Sequence, residues 1–120
     1  MSTKNATTPQ TPKTVTGTAA AAVSNVWPAL TGSARELELI SVSYSGAASG
    51  PVTLTVTDGA TTVFAVDLNL AVGVPYTLVP ALHGLRGTVG NAMTITVSAG
   101  AASSICKLST SVAVTDAIFY

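Results

Sequence analysis

Apolar and polar residues alternate with a period of two over most of the chain beyond Arg35, and no stretch carries the spacing of a three-turn amphipathic helix. In residues 52–57, Val52, Leu54 and Val56 fall on one face and Thr53, Thr55 and Thr57 on the other. That is the pattern of a half-buried strand. Asp58-Gly59 follows, a pair that favours a tight hairpin turn, and Phe64, Val66, Leu68 and Leu70 then alternate with Ala65, Asp67 and Asn69. The two runs predict an antiparallel hairpin. Residues 76–79 read as a short strand between Pro75 and Pro80, neither of which can donate to a ladder. Met93, Ile95 and Val97 alternate with Thr94, Thr96 and Ser98, and Cys106, Leu108, Val112 and Val114 share one phase of a last strand. One run breaks phase: Leu37 and Leu39 are out of step with Ile40, Val42 and Tyr44. A bulge between Leu39 and Ile40 restores a single buried face.

The remaining segments set the boundaries. Residues 1–13 are rich in Thr, Pro, Asn and Lys and lack the apolar surface to fold alone, so they read as an arm. Residues 14–23, β-branched at the start and interrupted by Gly17, favour an extended conformation, and Pro28 ends regular pairing after Val26 and Trp27. Residues 45–51 and the glycine-rich 82–90 read as loops. The division is an extended N-terminal arm over residues 1–22 and one folded domain over 23–120. Seven or eight short strands joined by Gly, Pro, Ser and Asp turns predict an all-β fold, a single antiparallel β-sandwich. A jelly roll is the preferred topology and an immunoglobulin-like sandwich the second.

Composition narrows the function. Of 120 residues 48% are apolar, enough for one core, and only 8% are charged, against about 25% in an average soluble domain. Five Lys plus Arg balance five Asp plus Glu. A neutral, apolar chain points to a surface covered by other protein. The scattered cations argue against nucleic acid as a partner, and the lack of a run of roughly 20 apolar residues argues against a membrane span. The outward strand positions carry Thr and Ser where solvated sheets use Lys and Glu against edge pairing, which fits either the β-propensity of Thr alone or burial against neighbouring chains. The opening residues lack the apolar core of a secretory signal, and the single Cys106 has no partner for an internal disulfide. Both fit assembly in a reducing cytoplasm.

Little here can support catalysis. His83, the lone histidine, has no local carboxylate and nucleophile to complete a triad and reads as a loop residue. One Cys and one His cannot make a four-ligand zinc site. Asp58-Gly59 lacks the clustered oxygens of a calcium site, and no helix follows Gly84, Gly87 and Gly90 to hold a phosphate. The expectation is no catalytic residue, no metal and no cofactor. Cys106 sits on an inward phase as a small buried hydrophobe. Phe64 and Tyr44 fall on core phases, which leaves Trp27, Tyr76, Phe119 and Tyr120 as candidate exposed aromatics, thin material for a glycan cleft. The chain closes on Asp116-Ala117-Ile118-Phe119-Tyr120, and three large apolar side chains docked on a partner each contribute about 1.5–3 kcal/mol before ordering costs. Trp27, Ile118, Phe119 and Tyr120 are the candidate partner-binding residues, with residues 1–13 as a clamp; the alternatives are a C-terminus tucked onto its own domain and an N-terminal flexible tail.

Residues 36–108 carry a strand and loop, ELELISVSYSGAASG, a hairpin, VTLTVTDGATTVFAVDL, and GNAMTITVSAG followed by KLS. In this pattern of strands and turns the section resembles small structural proteins of tailed bacteriophages, the single-sandwich cement, decoration or fibre-type proteins. The resemblance implies a non-enzymatic component on the virion capsid surface, often a homotrimer, that bridges and stabilises subunits of the major capsid protein. The alternative is a head- or tail-fibre module that binds a host surface glycan.

Overall fold

The computed structural model describes residues 7–8, 10–18, 21–45, 52–69, 73–80, 85–98 and 105–116. They form nine strands and no helix: β1 (Thr7–Thr8), β2 (Lys13–Thr16), β3 (Val23–Trp27), β4 (Ser33–Tyr44), β5 (Val52–Asp58), β6 (Thr61–Leu68), β7 (Tyr76–Leu78), β8 (Met93–Val97) and β9 (Cys106–Asp116). Two antiparallel sheets pack together as a small β-sandwich. One runs β9-β4-β7, with β1 and β2 sharing the far edge of β9; the other runs β3-β8-β5-β6.

The pairings are nested. β5 pairs with β6, β4 with β7, β3 with β8 and β2 with β9, while β4–β9 and β5–β8 contacts complete the sheets. At the centre of the nest is the Asp58-Gly59 turn, where Gly59 takes a positive φ of 60° that a side chain would resist. The expected hairpin is present as β5 and β6.

The core lies between the sheets and is built from the predicted phases: Ile40, Val42 and Tyr44 of β4, Val52, Leu54 and Val56 of β5, Met93, Ile95 and Val97 of β8, and Cys106, Leu108 and Val112 of β9. The β4 bulge falls earlier than the alternation placed it. Leu37 pairs with Val112 and Leu39 with Ser111, so Glu38 is the extra residue. The reason is burial at both ends: Leu37 and Ile40 are each in the core, which needs the inserted residue between them, and Glu38 meets the partly exposed Ser111 hydroxyl. Leu39 stays half-buried.

Within the expected extended arm of residues 1–22, Lys13–Thr16 is a strand paired with β9, in register with Thr110 to Lys107. Its polar residues do not need to fill a core, because only one side of an edge strand is buried and the backbone ladder to β9 holds it. On the opposite edge of β4, β7 covers Ile40 to Val42, and the segment 85–90 continues along residues 33–37 through Leu37 N to Leu85 O at 2.9 Å, Gly87 N to Arg35 O at 2.6 Å and Gly90 N to Ser33 O at 2.8 Å.

Candidate functional site

Trp27 stands on the inward phase of β3 beside Val23 and Asn25, and all three are buried. The indole is 3% exposed. Its Nε1 donates to the Thr110 hydroxyl on β9 at 3.0 Å, and Asn25 Nδ2 donates to the same oxygen at 2.9 Å, with longer contacts to the carbonyls of Lys13 (3.3 Å) and Leu108 (3.5 Å). One hydroxyl from one sheet thus satisfies two buried donors from the other. Two cations finish the cluster. Lys13 Nζ lies 4.5 Å from the indole centroid and donates to the Val26 carbonyl at 2.7 Å; the Arg35 guanidinium lies 5.6 Å from the centroid and donates from Nε and Nη2 to the Pro28 carbonyl at 3.0 and 2.8 Å. Burial lowers the Arg35 pKa from its ordinary value, and the guanidinium remains charged. The arrangement closes one side of the sandwich and ties β2 to β3.

A second cluster fastens the 85–91 segment to the β5–β6 turn. Asp58 accepts from the Thr88 amide at 3.0 Å and from the Thr88 hydroxyl at 2.7 Å. Burial pushes its pKa up, but the bonds from Thr88 and from the Asn91 side chain outweigh that, and the net shift is downward. Gly87 passes so close that a Cβ there would sit 2.9 Å from Asp58 Oδ1 and 3.3 Å from the Arg35 carbonyl. Nearby, the Arg86 Nε lies 3.7 Å from the buried Glu36 carboxylate. Asp58 is therefore a staple between a turn and a loop. Among the described residues no group of three His, Cys, Asp or Glu is placed to hold a metal.

Tyr44 and Cys106 are direct cross-strand partners, both buried in the core. Desolvation raises the Tyr44 pKa, helped by the neighbouring thiol, and desolvation raises that of Cys106, partly offset by the nearby Tyr44 hydroxyl. The thiol is inert packing, not a nucleophile. The outward face of the β3-β8-β5-β6 sheet presents hydroxyls, several of them bonded to neighbours: Ser24 bonds the Thr96 hydroxyl at 3.0 Å, Thr53 donates to the Asp67 carboxylate at 2.8 Å, and Thr57 donates to the Thr94 carbonyl at 3.4 Å.

The four expected contact residues are not brought together among the described residues. Trp27 is corrected: it is core, since its ring spans the gap between the sheets and its one donor is spent on Thr110, so it is not available as a surface anchor. Ile118, Phe119 and Tyr120 lie outside the described residues, as do His83, Gly84 and Leu70. Tyr76 and Phe64 are half-buried against the core. The Asn25–Thr110 bridge was not anticipated, although a signal existed: each is a polar residue on the inward phase of an otherwise apolar strand. No protein-family model, curated protein or solved structure matches the chain.

Proposed function

We propose that this chain is a non-enzymatic structural protein of a bacteriophage particle, a cement or decoration protein that binds the assembled major capsid protein and stabilises the shell. The observation that carries the reading is the outer face of the β3-β8-β5-β6 sheet, where Ser24, Thr53, Thr55, Thr57, Thr94 and Thr96 stand in register and Asp67, at the edge, is hydrogen-bonded by Thr53. The hydroxyls of Ser24, Thr53, Thr57 and Thr96 are already bonded to neighbours and so are cheap to desolvate, whereas a lysine ammonium is costly to bury. Such a face suits contact with protein. The nested pairing of the eight strands β2 to β9 favours the jelly roll, because an immunoglobulin-like sandwich orders its sheets A-B-E-D and C-F-G and does not pair its outermost strands in that way. The burial of Trp27 and Tyr44 takes two aromatic side chains from the glycan-binding alternative and leaves it the half-buried Phe64 and Tyr76 among the described residues.

The mechanism is linkage: a protein that binds the closed lattice and not free subunits lowers the free energy of the intact shell by an amount that grows with the logarithm of its free concentration relative to Kd. Ile118, Phe119 and Tyr120 remain proposed contacts, with the N-terminal residues as a clamp. The test mixes purified protein with shells that lack it and measures co-sedimentation and shell melting. Wild type is expected to bind and to raise the melting temperature of the shell. Truncation after Asp116, and the double change Thr55→Lys with Thr96→Lys on the outer face, are each expected to weaken binding while circular dichroism stays native. Wild-type binding by both variants, or no binding by wild type, defeats the reading.

A further inference from the structure

The sandwich has five outer strands among the described residues, and four are blunted, β1 being only two residues long. β2 is four residues long, follows Pro12 and carries Lys13; β7 is three residues long between Pro75 and Pro80; β3 is five residues long, ends at Pro28 and has its Val26 carbonyl taken by Lys13 Nζ. These are the usual defences of a sheet edge: shortness, proline and lysine. β6 has none of these three. It is eight residues long, Thr-Thr-Val-Phe-Ala-Val-Asp-Leu, without Lys, Arg or Pro, and it pairs only with β5 among the described strands; a bulge at Val63, between the pairs Val56–Phe64 and Thr57–Thr62, leaves Phe64–Leu68 as its regular run.

Its free hydrogen-bonding groups can be located. The bonds Ser98 N to Thr53 O and Gly59 N to Ala92 O show that odd-numbered residues of β5 point their backbone groups at β8. The even-numbered residues therefore face β6, and with Leu54 opposite Val66 and Val56 opposite Phe64, the N–H and C=O of Ala65 and Asp67 are left pointing out of the sheet. Ala65 is exposed, while Phe64 and Val66 are half-buried on the inner face.

We infer that β6 is a self-association edge, pairing antiparallel with β6 of a second copy about a two-fold axis at Ala65. The register explains the composition. Ala65 meets its own counterpart as a hydrogen-bonded pair, and Phe64 of each copy lies opposite Val66 of the other, an aromatic–β-branched pair that covers both. Asp67 lies opposite the bulged Val63, where the pairing ends, so the two carboxylates are four residues apart, about 14 Å along the strands. That exceeds the screening length of ~8 Å at physiological salt, so the pairing incurs little repulsion. The two four-stranded sheets become one of eight strands, an isologous dimer in place of the trimer implied by the phage resemblance. The inference stands independently of the virion assignment.

Analytical ultracentrifugation of the full chain from low-micromolar to sub-millimolar concentration tests it. Wild type is expected to approach twice the chain mass. Ala65→Lys, which sets two ammonium groups face to face across the axis, and Ala65→Pro, which removes the central edge N–H without breaking a β5 bond, are expected to sediment as single chains with native circular dichroism. Thr77→Lys, an exposed change on β7, is expected to leave the dimer intact. A wild-type monomer throughout, a trimer, or a folded Ala65→Lys variant that remains dimeric overturns the inference.

Discussion

Replacing Thr110 by valine keeps the shape of the side chain and removes the oxygen on which two buried donors converge. Trp27 Nε1, at 3.0 Å, then has no acceptor in its place, and leaving a buried donor unpaired costs about 1–3 kcal/mol. Asn25 loses the shortest of its three contacts and keeps those at 3.3 and 3.5 Å, which adds roughly 1 kcal/mol. The methyl that replaces the hydroxyl returns up to about 0.8 kcal/mol of apolar burial. The net expectation is a loss of about 1–3 kcal/mol from a domain whose total stability is of the order of 5–15 kcal/mol. At about 4 °C per kcal/mol for a domain of this size, that lowers Tm by roughly 4–12 °C. Trp27 is the single tryptophan, so its fluorescence in a urea titration reports on the perturbed site and on global unfolding together. Thr110→Ser retains the acceptor and loses only a methyl, so it is expected to be more stable than Thr110→Val. Burial of apolar surface alone predicts the reverse order. A valine variant as stable as wild type would refute the claim that this hydroxyl joins the sheets.

Asp58 and Cys106 give two further expectations. The Asp58 pKa is depressed in the fold, so its stabilising effect is complete above the unfolded value of about 3.9 and is lost as pH falls through the lower folded value. The gap in urea midpoint between wild type and Asp58→Asn is therefore expected to be widest near neutral pH and to narrow in acid, and a gap that does not change with pH contradicts the staple. Burial raises the Cys106 pKa, so a thiol reagent is expected to label the unfolded chain and leave the folded one unmodified even above about pH 8.5, the ordinary thiol value; equal labelling rates in the two states would rule this out.

The two-residue period of residues 52–57 and 93–98 identified strands, their buried faces and the hairpin turn, because alternation follows from local pleat geometry and needs no knowledge of the partner strand. The same logic placed Tyr44 and Cys106 inside, where the structure has them. It misplaced the β4 bulge, because an extra residue can be absorbed anywhere between two buried positions and only the register with β9 selects Glu38. It also read Trp27 as exposed. A tryptophan before a proline looks like a loop residue until Thr110, 83 positions away, supplies the partner that lets its N–H be buried.

Alone, the sequence determined the all-β class, the strand phases and the scarcity of charge, since each is a property of neighbouring residues or of the whole composition. Which strands lie side by side, that Lys13–Thr16 belongs to the sheet, and that β6 is left as an outer strand were decided by tertiary structure. Those outcomes depend on contacts between residues far apart in the chain, and a strand's alternation is the same whether its neighbour is a sheet, a second copy or water.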